Sequence, residues 1–182
     1  MTDPLDVQVL VRAGAWKKAL PRVAATCRAA ASAAYAQQRR RRAAEISVLL
    51  AGDTFVRSLN REYRGHDKAT NVLAFAAQEG AGPGPQPGAT VMLGDVVVAY
   101  GTAAREAARE GKSLGDHLSH LVVHGLLHLM GYDHDTDRKA RVMERLEARI
   151  LAGIGIADPY APPPVVRSSR RRRSVSRPRR RP

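Results

Sequence analysis

Residues 114–134 have the sequence LGDHLSHLVVHGLLHLMGYDH, and they carry more structural information than any other segment of the chain. Apolar residues recur there at intervals of three and four, the period of an amphipathic helix that packs one face on a core. Ser113 is a suitable N-cap with Asp116 three residues later, and Gly131 can end the helix in the left-handed conformation. We predict a helix from Ser113 to about Gly131. Its core-facing residues are expected to be Leu114, Leu118, Leu121, Val122, Leu126 and Leu129.

The same helix carries histidines at a spacing that suits a metal ion. His124 and His128 are four residues apart, so both imidazoles project from one face. A turn at Gly131 brings the chain back, and His134 can then complete a set of three nitrogen ligands. Three protein ligands with one open position are typical of catalytic zinc sites, whereas structural zinc sites usually have four. The pattern predicts a catalytic divalent-metal site at these three histidines.

Two further histidines continue the same stripe of the helix. His117, His120, His124 and His128 are spaced three, four and four residues apart. His120 lies one turn before the first predicted ligand, and the sequence leaves two roles open for it. One is a hydrogen bond that helps to orient the ligands, and the other is plain packing. We expect His117 to be exposed.

The spacing H-x-x-x-H-x-x-G-x-x-H resembles that of metzincin proteases, with one difference. Those enzymes have a glutamate after the first histidine, where it serves as the general base. Gly125 stands at that position here, so proteolysis is disfavoured. Three neutral imidazoles leave the charge of a divalent metal uncompensated, which favours an anionic substrate such as a phosphodiester.

The rest of the chain mixes predicted strands with predicted helices. Val7, Val9 and Val11 alternate as they would on one face of a strand, and the Ala-rich segment from Trp16 to about Gln37 predicts a helix. Asp53 is a suitable N-cap for another helix. The mixture predicts an α+β fold, a single domain in which a small mixed β-sheet of about four strands packs with about five helices. Strands are predicted at 6–11, 45–50, 71–75 and 91–100, and the remaining helices at 53–63, 102–110 and 137–151.

The charge of the chain is concentrated at its C-terminal end. The formal net charge is +13 over 182 residues, and residues 167–182 contribute nine arginines and no acid. Such a balance favours polyanionic partners such as RNA. The single cysteine, Cys27, cannot form an internal disulfide and fits a reducing compartment. The sequence shows no secretory signal and no apolar stretch of about 20 residues, so we expect a cytoplasmic protein with no membrane partner.

The combination of motifs resembles the YbeY family of bacterial endoribonucleases and rRNA maturation factors. The family signature H-G-x-L-H-L-x-G-Y-D-H is complete from His124 to His134, and His120 matches a recurrent family histidine. The similarity covers roughly residues 45–150. Upstream, it rests on the segments Leu59–Arg64, Thr70–Leu73 and Leu93–Asp95, and downstream on Met143, Glu144, Leu146 and Glu147.

The resemblance implies one zinc ion per chain at the three histidines and cleavage of single-stranded RNA. It implies that Arg64 acts catalytically on the phosphate near the metal. It further implies a role in 3′-end maturation of the small-subunit (16S) rRNA and in ribosome quality control, with rRNA precursors and the small ribosomal subunit as partners. The sequence does not indicate an oligomeric state. Two alternatives stay open: a noncatalytic ribosome-assembly or RNA-binding factor with a structural metal, and a peptidase with a different base.

The boundary of the folded region is predicted from a change in composition. Residues 1–160 are expected to form the metallohydrolase domain, and residues 161–182 a disordered tail, because the tail is rich in proline and arginine and poor in apolar residues. Its arginines are candidates for nonspecific contacts to RNA phosphates, which would make binding depend strongly on salt. The arginines considered for this role are Arg167, Arg170, Arg171, Arg172 and Arg173.

Overall fold

Alternating burial along the strands places one sheet at the centre of the molecule. The structure, a computed structural model, describes residues 4–38, 42–77 and 88–161. In the order of the chain the elements are β1 (Leu5–Val11), α1 (Gly14–Ala19), α2 (Val23–Tyr35), β2 (Ala44–Ala51), α3 (Asp53–Arg64), β3 (Val72–Ala76), β4 (Val91–Ala99), α4 (Tyr100–Arg109), α5 (Leu114–Leu129) and α6 (Asp137–Gly153).

The four strands form a mixed sheet in the order β1-β2-β4-β3. The pairs β1–β2 and β2–β4 are parallel, and β3 lies antiparallel to β4 at one edge. Val48 pairs with Val9 on one side and Val96 on the other, so the centre of the sheet is lined with β-branched residues. The predicted α+β fold with about four strands is confirmed.

Helices cover both faces of this sheet. The larger core lies between the sheet and helices α2, α5 and α6, where Ala30, Val122 and Ile150 are buried against strand residues. A smaller core on the opposite face forms around Val56 of α3 and Val97 of β4. Helix α5 therefore lies on the sheet by its apolar side, as predicted, and His124 and His128 line a cleft together with the edge strand β3.

The prediction of one continuous helix from Trp16 to Gln37 is wrong, because the structure has two helices there, α1 and α2. The described residues therefore form six helices, one more than the predicted number of about five. Pro21 causes the break. It disfavours the helical conformation at the preceding residue, and Leu20 has φ −139° and ψ 85°. Helix α1 thus ends at Ala19, and α2 begins two residues after the proline.

The predicted N-cap at Asp53 is also wrong. Gly52 occupies the N-cap position, and Asp53 is the first helical residue of α3. Its carboxylate instead accepts a hydrogen bond from the backbone N–H of Thr102 at 2.9 Å. It also forms an ion pair with the guanidinium of Arg105 at 2.8 Å. Asp53 therefore accepts a hydrogen bond from a free N–H group in the first turn of α4, a helix far from it in sequence, and does not cap its own helix α3.

The described residues contain no helix with the length and hydropathy that crossing a membrane requires. Cys27 is buried in α2, and burial raises the pKa of its thiol to about 12, so it is unreactive at neutral pH. The predicted tail lies almost entirely outside the described residues.

Candidate metal centre and cleft

Capping at both ends of α5 sets the positions of the candidate ligands. The Ser113 hydroxyl accepts a hydrogen bond from the Asp116 N–H at 3.0 Å and fixes the start of the helix, as predicted. At the other end Gly131 has φ 87°, a left-handed conformation that glycine adopts at little cost. Its N–H donates to the carbonyl of His128 at 3.0 Å. The chain therefore turns back immediately beyond the second histidine.

His134 lies in the short bend between α5 and α6. Thr136 caps α6 by accepting a hydrogen bond from the Lys139 N–H at 3.3 Å, and the Asp133 carboxylate accepts one from the His134 N–H at 2.7 Å. Asp133 thus stabilises the bend. The bend places the His134 ring over that of His124, with ring centroids 5.7 Å apart and an angle of 26° between planes.

The three imidazoles of His124, His128 and His134 meet closely enough to share one ion. One nitrogen from each lies within 4.8 Å of the others, and the Nε2 atoms of His124 and His128 are 3.1 Å apart. Zinc–nitrogen distances of about 2.0–2.1 Å place tetrahedral ligand nitrogens roughly 3.3 Å from one another. The described part of the chain supplies three nitrogens and no fourth ligand, and this donor set fits a divalent metal with an open position.

Electrostatics at this cluster favours the form that binds metal. Burial lowers the pKa of His128, and the neighbouring His124 and His134 lower it further. The imidazole of His128 is therefore neutral at physiological pH, and a neutral ring offers a lone pair to a cation.

A buried carboxylate that the sequence reasoning did not assign to the site lies directly behind the candidate ligands. Glu147 of α6 is fully buried and accepts hydrogen bonds from His124 Nδ1 at 2.8 Å and from His120 Nε2 at 3.1 Å. Burial alone would raise its pKa, but the hydrogen bonds from His120, His124 and Tyr160 outweigh burial and lower that pKa to about 2. Glu147 is therefore ionised, and one sequence signal marks it: an acid among the buried apolar residues of α6, Met143, Ile150 and Leu151.

The other two stripe histidines differ in outcome. His120 is partly buried and hydrogen-bonds to Glu147. Its hydrogen bond thus goes to the carboxylate behind the candidate ligands and not to a ligand histidine. The expectation that His117 is exposed is wrong. The residue is 4% exposed, and its Nε2 lies 3.0 Å from the Glu106 carboxylate of α4.

A cleft of about 530 Å³ opens in front of the three histidines. Its opposite wall is the edge strand β3 together with Thr70 and Asn71. Arg64, the last residue of α3, also lines it, and one guanidinium nitrogen donates to the Ala74 carbonyl at 3.3 Å. The fold thus brings the predicted catalytic arginine into the same cleft as the predicted metal ligands. Their chemical roles stay predictions.

Gly125 has a structural reason for its identity. A Cβ atom at this position would lie 2.8 Å from Cγ1 and 2.9 Å from Cγ2 of Val96, which is fully buried in β4. No larger side chain fits without a shift of the helix or the strand. The position that carries the general base in metzincins is therefore filled by the sheet, which agrees with the sequence argument against that mechanism.

The candidate RNA-binding arginines Arg167, Arg170, Arg171, Arg172 and Arg173 lie outside the described residues.

Fold and site together define a class of protein: an α+β domain with a mixed four-stranded sheet and an open three-histidine centre at the edge of that sheet. Comparison with known proteins gives the family. The family model described as Endoribonuclease YbeY matches residues 13–155, and the chain belongs to this family. The match confirms the family resemblance predicted from the sequence. It also confirms the predicted enzyme class, because the family is one of endoribonucleases.

Three curated relatives illustrate the match, and each is named Endoribonuclease YbeY. The protein from Paramagnetospirillum magneticum is 47% identical over 88% of this chain and 98% of its own length. That from Allorhizobium ampelinum is 48% identical over 86% and 95%, and that from Rhodospirillum rubrum is 47% identical over 87% and 82%. The solution structure of a Thermotoga maritima protein has the same fold, with a TM-score of 0.51, 22% identity and coverage of 82% of this chain and 89% of that one.

Proposed function

We propose that this protein is a zinc-dependent endoribonuclease specific for single-stranded RNA. The observation that carries the proposal is the shared cleft, in which three imidazoles able to hold one metal ion face a guanidinium across space for a substrate. The relatives are named endoribonucleases, which agrees with this chemistry. Zinc is the proposed metal because three protein ligands with an open position are typical of catalytic zinc sites.

The cleft residues would have two different roles, metal binding by the histidines and phosphate binding by the arginine. His124, His128 and His134 would hold the metal, which when bound supplies Lewis-acid chemistry toward a phosphodiester. Arg64 would bind a non-bridging phosphate oxygen and offset the negative charge that grows there during cleavage. The openness of the cleft along the edge strand suits an extended single strand.

The biological setting is part of the same proposal. We infer that the substrate is precursor rRNA, that cleavage matures the 3′ end of the small-subunit (16S) rRNA, and that the enzyme acts in ribosome quality control with the small subunit as partner. A cytoplasmic location is consistent with the buried, unpaired thiol of Cys27.

The test compares variants of the full chain in three assays: bound metal by elemental analysis, cleavage of labelled single-stranded RNA, and cleavage of casein. His128→Ala is expected to lose the metal and the RNA cleavage together, because two imidazoles hold a divalent ion much less tightly. His66→Ala is the matched control, since His66 is exposed and does not line the cleft. Arg64→Gln is expected to keep its metal and lose roughly 100-fold or more in kcat.

Several results would contradict the proposal. Full metal occupancy in His128→Ala would refute the ligand assignment. A metal-loaded wild type that leaves RNA intact would favour a noncatalytic RNA-binding factor, and cleavage of casein would favour a peptidase. Removal of metal with a chelator and return of zinc, manganese, nickel or iron one at a time identifies the active ion.

A further inference from the structure

Glu147 has the surroundings of a residue with a dedicated task. Its carboxylate is fully buried, yet it accepts three hydrogen bonds, all from side chains. The donors come from two places in the chain: His120 and His124 on α5, and Tyr160 in the segment after α6. A buried charge needs such partners to be tolerated, and one of these partners, His124, is a candidate metal ligand.

The two carboxylate oxygens have different partners. Oε1 accepts from His124 Nδ1 at 2.8 Å, while Oε2 accepts from His120 Nε2 at 3.1 Å and from the Tyr160 hydroxyl. His120 and Tyr160 therefore hold the carboxylate in place, and the remaining oxygen is directed at one ring atom of His124. Tyr160 is itself anchored, because Lys112 Nζ donates to the carbonyl of the adjacent Pro159 at 2.9 Å.

This contact determines which nitrogen of His124 is available to a metal. Glu147 Oε1 accepts in this 2.8 Å contact, and Oε2 accepts from His120 and Tyr160, so the hydrogen between the two residues lies on Nδ1 of His124. In a neutral imidazole the other nitrogen, Nε2, then has a free lone pair. Nε2 is the atom that lies 3.1 Å from Nε2 of His128, on the side of the shared cleft. The hydrogen bond also fixes the rotation of the ring.

We propose that Glu147 is a positioning residue that holds His124 in the tautomer and ring orientation needed for metal binding, with His120 and Tyr160 holding Glu147 in turn. The inference rests on the metal centre of the proposed function. It assigns a role to His120 as well: the histidine acts on the site through the carboxylate. Buried carboxylates that accept from a ligand histidine commonly raise metal affinity by roughly 10- to 100-fold.

The experiment measures zinc affinity by competition with a chromophoric chelator, which needs no RNA. Glu147→Gln is expected to bind zinc roughly 10- to 100-fold more weakly, because an amide has no charge and can also donate to Nδ1. Glu62→Gln is the control for loss of a carboxylate charge, since Glu62 of α3 is exposed and lines neither the cleft nor the space around Glu147 and Tyr160. Tyr160→Phe, which removes one donor to the carboxylate, is expected to give a smaller loss in the same direction.

A second readout separates positioning from loss of structure. Nitrogen-15 NMR of the metal-free protein, at a pH where imidazoles are neutral, reports the tautomer of each histidine. His124 is expected to carry its hydrogen on Nδ1 in the wild type and in Glu62→Gln, and to become a mixture of tautomers in Glu147→Gln. If Glu147→Gln does not fold, Glu147→Asp keeps the charge on a shorter side chain and is expected to give an intermediate zinc affinity.

The outcomes distinguish this inference from the proposed function. Unchanged zinc affinity and an unchanged His124 tautomer in a folded Glu147 variant would overturn the inference while leaving the nuclease proposal intact. The expected change in affinity, in a wild type that binds zinc but cleaves no RNA, would support the inference and refute the nuclease proposal.

Discussion

Gly125 shows how a single residue links packing to chemistry. It follows a candidate metal ligand directly and lines the cleft, yet the space into which a side chain would project is occupied by the sheet. Because Val96 occupies the space that a side chain would need, helix α5 can approach β4 closely only with glycine at this position. The close approach brings His124 and His128 to the edge of the sheet, where β3 and Arg64 complete the cleft.

The first prediction concerns this contact. Gly125→Ala is expected to lower the free energy of unfolding by about 1–2 kcal/mol, because overpacking against a stiff β-branched side chain outweighs the gain in helix propensity. Urea unfolding of the metal-free protein measures it. In a Val96→Ala background the clash is removed, so the same Gly125→Ala change is expected to be neutral or stabilising. An equal effect in both backgrounds would show that the contact does not limit the packing.

Among the elements, α4 depends on a residue from another part of the chain for its N-terminal hydrogen bonds. Asp53, at the start of α3, accepts from both the N–H and the hydroxyl of Thr102 and pairs with Arg105. Gly101 leaves room for this, since a Cβ there would lie 2.7 Å from the Asp53 carboxylate. Asp53 and Thr102 are 49 residues apart in the sequence, so this contact connects two helices that are distant along the chain.

The second prediction follows from the pKa of Asp53. Partial burial would raise that pKa, but the hydrogen bonds from Arg105 and Thr102 outweigh burial and lower it. A pKa lowered on folding means that the folded state binds fewer protons. The stabilisation is therefore complete above the unfolded pKa of about 3.9 and is lost as the pH falls through the folded value.

Asp53→Asn is thus expected to lower the free energy of unfolding by about 1 kcal/mol near neutral pH. The difference from the wild type is expected to shrink as the pH falls below about 4. Asp67→Asn is the control, because Asp67 pairs with Arg57 on the surface and its loss is expected to leave stability nearly unchanged. A difference between Asp53→Asn and wild type that stays constant down to pH 2 would contradict the assignment.

Over the whole molecule, patterns within one element were predictable from the sequence. The helix around His124, its Ser113 cap and its Gly131 ending follow from local periodicity and local conformational preferences. Groups that meet across elements were not predictable in this way. Glu106 hydrogen-bonds to His117, Asp53 accepts hydrogen bonds from Thr102, and Glu147 lies behind His124. These contacts form only because the fold brings α4, α3 and α6 to those places. Pro21 is an intermediate case. A proline disfavours a continuous helix, but the Ala-rich sequence around it favours one, and the prediction followed the composition.

The third prediction concerns the distribution of charge along the chain. Deleting residues 167–182 removes nine arginines and lowers the net charge from +13 to +4. RNA binding is expected to weaken most at low salt, and the dependence of the binding constant on salt is expected to become shallower. Fluorescence anisotropy across a salt series measures both. A variant with the nine arginines replaced by lysine keeps the charge and is expected to retain the steep dependence. Identical binding curves with and without the tail would refute a phosphate-binding arm.

The location of Tyr160 matters to anyone who shortens this protein for crystallisation or inhibitor screening. The family match ends at residue 155, and a fragment cut there would retain every described strand and helix. It would nevertheless lack the phenol that donates to Glu147 and the carbonyl of Pro159 that Lys112 holds. Such a fragment would look intact by circular dichroism while a donor beneath its histidine cluster was missing. Expression boundaries should therefore extend at least to residue 161.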